Sequence, residues 1–135
     1  MSGGHWNGEE FSAVSFLQDF ACDTEERFPK LSKLFSNLER AIEFIVREID
    51  YDFSGDSMIP DDENFTNIAT IVLQNSVLPK PSDMSLLVAI RLLEEELKEL
   101  PDNEENRMNK YNVQKQIHYL EKAIDLVHLF QGENQ

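Results

Sequence analysis

Apolar side chains recur along this chain at steps of three and four residues, the spacing of one helix face. No segment alternates apolar and polar as a half-buried strand does. The clearest stripe is Leu31, Leu34, Phe35, Leu38, Ala41, Ile42, Ile45 and Ile49. Pro29 stands at the first turn of that helix, where a missing N–H costs nothing. Ser54-Gly55-Asp56 is expected to end it. Ahead of it, Phe11, Val14, Phe16, Leu17, Phe20 and Ala21 predict a shorter helix over residues 9–21. Glu9 and Glu10 suit its positive end, and Cys22-Asp23-Thr24 reads as the break.

A third helix runs through Phe65, Ile68, Ala69 and Val72, with Asp61 or Asp62 as its cap. Pro79-Lys80-Pro81 stops it and makes a stiff hinge. Ser82 or Asp83 caps a fourth helix with the stripe Leu86, Ile90, Leu93, Leu97 and Leu100. Pro101-Asp102-Asn103 is a tight turn. A fifth helix, over residues 104–130, carries Val113, Ile117, Leu120, Ile124 and Val127. The last two stripes step alternately by four and three, the seam of an antiparallel hairpin or a coiled coil. The expected fold is an all-α single domain of four to five helices with a C-terminal antiparallel helical hairpin. Residues 1–8 form a flexible N-terminal arm, 9–78 the N-terminal helices and 82–131 the hairpin. Within the arm, Trp6 is a large apolar side chain that favours docking. LERAIEFI at 38–45 echoes LEKAIDLV at 120–127, a string on which two amphipathic helices easily converge.

Length agrees with one domain: a chain of 135 residues buries about two-thirds of its unfolded surface and needs no disulfide or metal to fold. Nine Phe and an apolar share of 41% supply a core. The one cysteine, Cys22, has no partner for an internal disulfide, which fits a reducing cytoplasm. No apolar run reaches the ~18–20 residues that span a bilayer. The opening MSGGHWNGEEF has neither the basic nor the apolar region of a secretion signal.

Charge changes the picture most. Twenty-six acids against 12 bases leave −14, which opposes nucleic acid and anionic membranes and favours a basic protein partner. Residues 1–26 hold six acids and no Lys or Arg, residues 50–63 six and none, and residues 94–105 seven and one lysine. Close mimicry of DNA is not expected. A 27-residue helix is about 40 Å long, and duplex DNA of that length carries roughly 24 phosphates. The acidic segment at 50–63 also matches part of a calcium loop. Asp50, Asp52, Ser54 and Gly55 take positions 1, 3, 5 and 6, and Asp56 follows. Position 12, where a bidentate Glu belongs, is Asp61, beside Pro60.

MSGGHW at residues 1–6, then AIEFIVREIDYDFSGD and Phe65, resembles a family of small uncharacterised proteins from bacteriophages and other mobile elements. Its pattern is Met-Ser-Gly-Gly-His-aromatic, later Ile-Asp-aromatic, two residues and Ser-Gly-Asp, then an acidic stretch before a Phe. The match covers about half the chain, to residue ~70. It departs where the family has Asp-Tyr and this chain has Asn7-Gly8. The hairpin from Met84 is additional. The resemblance implies a phage-type origin and no site residues.

The remaining chemistry is thin. His5, His118 and His128 form no H-x-x-x-H, and Cys22 has no local ligand partner, so no zinc site is expected. No phosphate-binding glycine loop or nucleophile elbow is present. The sequence therefore points to a non-enzymatic acidic interaction protein without cofactor, acting in a bacterial host cytoplasm. It would bind and inhibit a basic host protein such as a nuclease or defence complex. Its expected contacts are Asp50, Asp52, Asp56, Asp61, Asp62 and Glu63. Two alternatives stand beside this reading. One is an assembly protein dimerising through its C-terminal helices. The other is a calcium-responsive helical module using Asp50, Asp52, Ser54 and Asp56.

Overall fold

A computed structural model describes residues 10–53 and 61–132. They form five α-helices, with no strand among the described residues: α1 (Glu10–Thr24), α2 (Pro29–Phe53), α3 (Asp62–Val77), α4 (Met84–Glu99) and α5 (Arg107–Phe130). One 3-10 turn, Glu104–Asn106, leads into α5. The all-α architecture with its C-terminal hairpin is as the periodicity predicts. The N-terminal arm with Trp6, and Ser54, Gly55 and Asp56, lie outside the described residues.

The core gathers on the second half of α5. Tyr119, Leu120, Ala123, Ile124, Val127 and Phe130 meet Phe65, Ile68 and Val72 of α3, Ala41 of α2 and Leu86 of α4. The Phe65 and Tyr119 rings meet edge to face at 5.7 Å, a favoured aromatic geometry. Helix α2 is central: α1 packs along one side of it, α3 and α5 along the others.

That placement revises the expected α2 stripe. Only Ala41 of the eight positions is fully buried; Leu31 is exposed and the rest are half-buried. Ser32, Asn37, Glu39, Glu48 and Asp50 are buried instead. A helix covered on several sides must bury part of its polar face, and buried polar groups need partners. Ser32 Oγ donates to the Ala21 carbonyl of α1. Gln18 Nε2 donates to Glu39 Oε1 at 2.6 Å, and Lys122 Nζ to Glu48 Oε2 at 3.0 Å.

Two expectations for α1 are corrected. The helix runs through Cys22 and Asp23 to Thr24, because neither Gly nor Pro interrupts it before Pro29. Phe28 N–H then donates to the Thr24 carbonyl at 2.7 Å, and Ser32 N–H to Phe28 at 2.9 Å, so the chain winds almost directly into α2. Phe16 is not part of the packed face. It is 66% exposed, since it sits two residues from buried Val14 and so on the far side of a helix.

The start of α4 is pinned to the end of α5. His128 Nε2 lies 2.7 Å from Asp83 Oδ2, and Gln131 Nε2 donates to the Pro81 carbonyl at 3.2 Å. Asn75 Oδ1 accepts from Ser82 N–H at 2.7 Å, which fixes the proline hinge to α3. Gly132, at φ 74°, closes α5 with an N–H bond to the Leu129 carbonyl. Among the described helices, α4 packs on α5 and only slightly on α3. Leu93, Leu97 and Leu100 of its expected seam are half-buried.

Candidate interaction surface

The acidic segment at 50–63 splits on folding. Asp50 and Asp52 are in the last turn of α2. Asp50 is only 3% exposed and already engaged, so the structure removes it from the expected contact surface. Asp52 is half-buried and also engaged. Two residues apart on a helix, the pair projects about 200° apart, which does not aim both carboxylates at one ion. Among the described residues no three His, Cys, Asp or Glu side chains gather as a metal site. Ser54 and Asp56, the other expected calcium ligands, fall outside the described residues.

Asp61, Asp62 and Glu63 are exposed. Asp61 is the N-cap of α3: Oδ1 accepts from Asn64 N–H at 2.8 Å and Oδ2 from the Asn64 side chain at 2.7 Å. Asp62 accepts from Thr66 Oγ1 at 3.1 Å. All three carboxylates sit at the positive end of α3, where the helix dipole stabilises them. A structural role therefore accounts for their position.

Four acids at the tip of the hairpin have no such account. Glu94, Glu95, Glu96 and Glu99 lie toward the C-terminus of α4, the negative end of its dipole, with Lys98 the one base in its last turn. Across the turn follow Asp102, Glu104 and Glu105. Asp102 reaches Lys110 at 3.4 Å and Glu104 reaches Arg107 at 2.9 Å. The other five make no ion pair among the described residues. All seven are exposed. No protein-family model, curated protein or solved structure matches this chain.

Lys33 and Arg40 of α2, with Gln18, Cys22, Ser32 and Glu39, line an open groove of about 520 Å³ between α1 and α2. Glu39 Oε2 is buried there without a partner. Neither His118 nor His128 lines this groove, so among the described residues Cys22 has no imidazole base beside it. Arg47, one heptad beyond Arg40, is held by Glu43 at 2.8 Å. The hydrogen bond to Glu43, opposed by partial burial and aided by Tyr51, raises its pKa above the ordinary guanidinium value. Glu39 and Glu48 were not expected to be buried. No local signal marks them, because their burial comes from α1 and α5. No described helix is long and apolar enough to cross a membrane.

Proposed function

We propose that this chain is a non-enzymatic acidic interaction protein that docks on a basic host protein and inhibits it. The hairpin tip, with Glu94, Glu95, Glu99 and Glu105, carries the main contact; Asp61, Asp62 and Glu63 add to it. The supporting observation is the placement of exposed acids without ion pairs among the described residues against the α4 dipole. Charge in that position costs stability and is not needed to form a turn. Facing a basic channel, the same charges speed encounter and set the orientation of docking. Nucleic-acid-binding proteins such as nucleases and defence complexes present such channels. The resemblance of MSGGHW and IDYDFSGD to phage proteins supports a bacterial host as the setting.

Capture from bacterial lysate at low and high salt, with identification by mass spectrometry, supplies the partner. Binding of the purified partner then tests the surface. Changing Glu94, Glu95, Glu99 and Glu105 together to Gln is expected to slow association several-fold, with little change in dissociation and a flatter salt dependence. Equal association rates for variant and parent at low salt would reject the tip as the contact.

A further inference from the structure

Glu39 stands in the wall of the groove between α1 and α2, yet it is only 4% exposed. Its Oε1 accepts from Gln18, which lines the same groove. Its Oε2 is buried and has no hydrogen-bond partner among the described residues. A carboxylate taken out of water with one oxygen unmet is costly, and folds retain few such groups. This one lines a space of about 520 Å³, within the size range of small-molecule sites.

The groove is also balanced in sign, in a chain of net charge −14. Lys33 and Arg40 line it against Glu25 and Glu39. Neither base makes an ion pair among the described residues. Both are exposed, and two turns of α2 separate them on one face. Ser36 lies between them. Glu39 projects about 100° around the helix from Arg40, toward Gln18 of α1. A simple cation would be drawn to Glu39 and repelled by the two bases. A simple anion would meet the bases and be repelled by Glu39. A molecule with an ammonium group beside a carboxylate satisfies both.

We propose that the α1–α2 groove binds a free α-amino acid. Its ammonium group donates to Glu39 Oε2, and its carboxylate accepts from Arg40. The ligand's side chain extends along the groove toward Ser36 and Lys33. Binding supplies the partner that the buried carboxylate lacks. The site goes beyond the docking reading and uses none of the glutamates whose exchange tests that reading.

Each common amino acid, added at millimolar concentration to the full chain, tests the proposal by melting temperature and by amide NMR shifts. At least one is expected to raise the melting temperature and to shift amides of α1 and α2 along the groove. Its N-acetyl derivative, which lacks the ammonium charge, and its amide, which lacks the carboxylate, are expected not to bind. Glu39→Gln is expected to abolish binding with an unchanged helical spectrum and no loss of melting temperature, since it removes a stranded charge. Arg40→Gln, at an exposed position, is expected to weaken binding about tenfold, the effect of losing one charge-assisted hydrogen bond. No response to any of the amino acids overturns the proposal. So does undiminished binding by folded Glu39→Gln or Arg40→Gln. Equal binding of the N-acetyl derivative would make the groove an anion site, and equal binding of the amide an amine site; either result overturns it too.

Discussion

Among individual residues, the Glu48–Lys122 pair shows how unevenly a half-buried ion pair contributes. Glu48 is almost fully enclosed, with one oxygen on Lys122 and Oε1 without a partner, while Lys122 reaches solvent. Removing the lysine leaves a carboxylate stranded; removing the carboxylate lets the lysine turn to water. Lys122→Met is therefore expected to cost about 1–3 kcal/mol, the penalty of an unsatisfied buried group. Glu48→Met, of similar volume, is expected to be near neutral or stabilising. Urea midpoints at constant slope measure both. Equal losses for the two variants would mean that the pair acts as a surface salt bridge. The N-cap of α3 gives a second test. Asp61→Ala is expected to cost about 0.5–2 kcal/mol, whereas Asp61→Asn keeps an acceptor for Asn64 N–H and costs little. A large loss in Asp61→Asn would show that the charge, not the cap, is what α3 needs.

Helices differ in how far their neighbours control them, and this decides what was legible beforehand. Pro29, Asp61 and the proline hinge act on adjacent backbone, so those boundaries could be read directly. The four-three spacing of α4 and α5 is equally local, and the hairpin follows from it. The end of α1 was misplaced because Cys22 and Asp23 are weak breakers that α1 simply continues through. The burial of Glu39, Glu48 and Asp50 was not legible, because it depends on helices distant in the chain closing over α2. The same dependence removed Asp50 from the acidic surface and left the hairpin tip, visible before only as a block of charge, as its more exposed part. Cover also grades the hairpin seam. Leu120 is in the core at 2% exposure, while Leu93 is half-buried. Leu120→Ala is expected to cost about 2–5 kcal/mol. Leu93→Ala is expected to lose roughly half as much, in proportion to the smaller apolar area it takes out of water. Thermal or urea denaturation of the two variants ranks them. A larger loss at Leu93 would place a covering element over that part of α4.

On the scale of the whole molecule, net charge sets how the fold responds to its solvent. Fourteen excess negative charges repel one another through solvent, and salt near 0.1 M largely screens the repulsion between groups more than about a Debye length, ~10 Å, apart. The acids are not equivalent in this respect. Asp61, Asp62 and Glu63 draw stability from the α3 dipole, which salt weakens. Glu94, Glu95, Glu96 and Glu99 oppose the α4 dipole and one another, and salt eases both effects. The tip therefore dominates the balance. The melting temperature is expected to rise between low and moderate sodium chloride. Exchanging Glu94, Glu95, Glu96 and Glu99 for Gln is expected to raise it at low salt and remove most of the salt response. Exchanging Asp62 and Glu63 for Asn and Gln is expected to lower it slightly and leave the response in place. A scan of melting temperature against salt for parent and both variants distinguishes the two acidic regions without any partner present. If the parent melts lower as salt increases, attractive ion pairs outweigh repulsion, and the tip acids are not held at a cost to the fold.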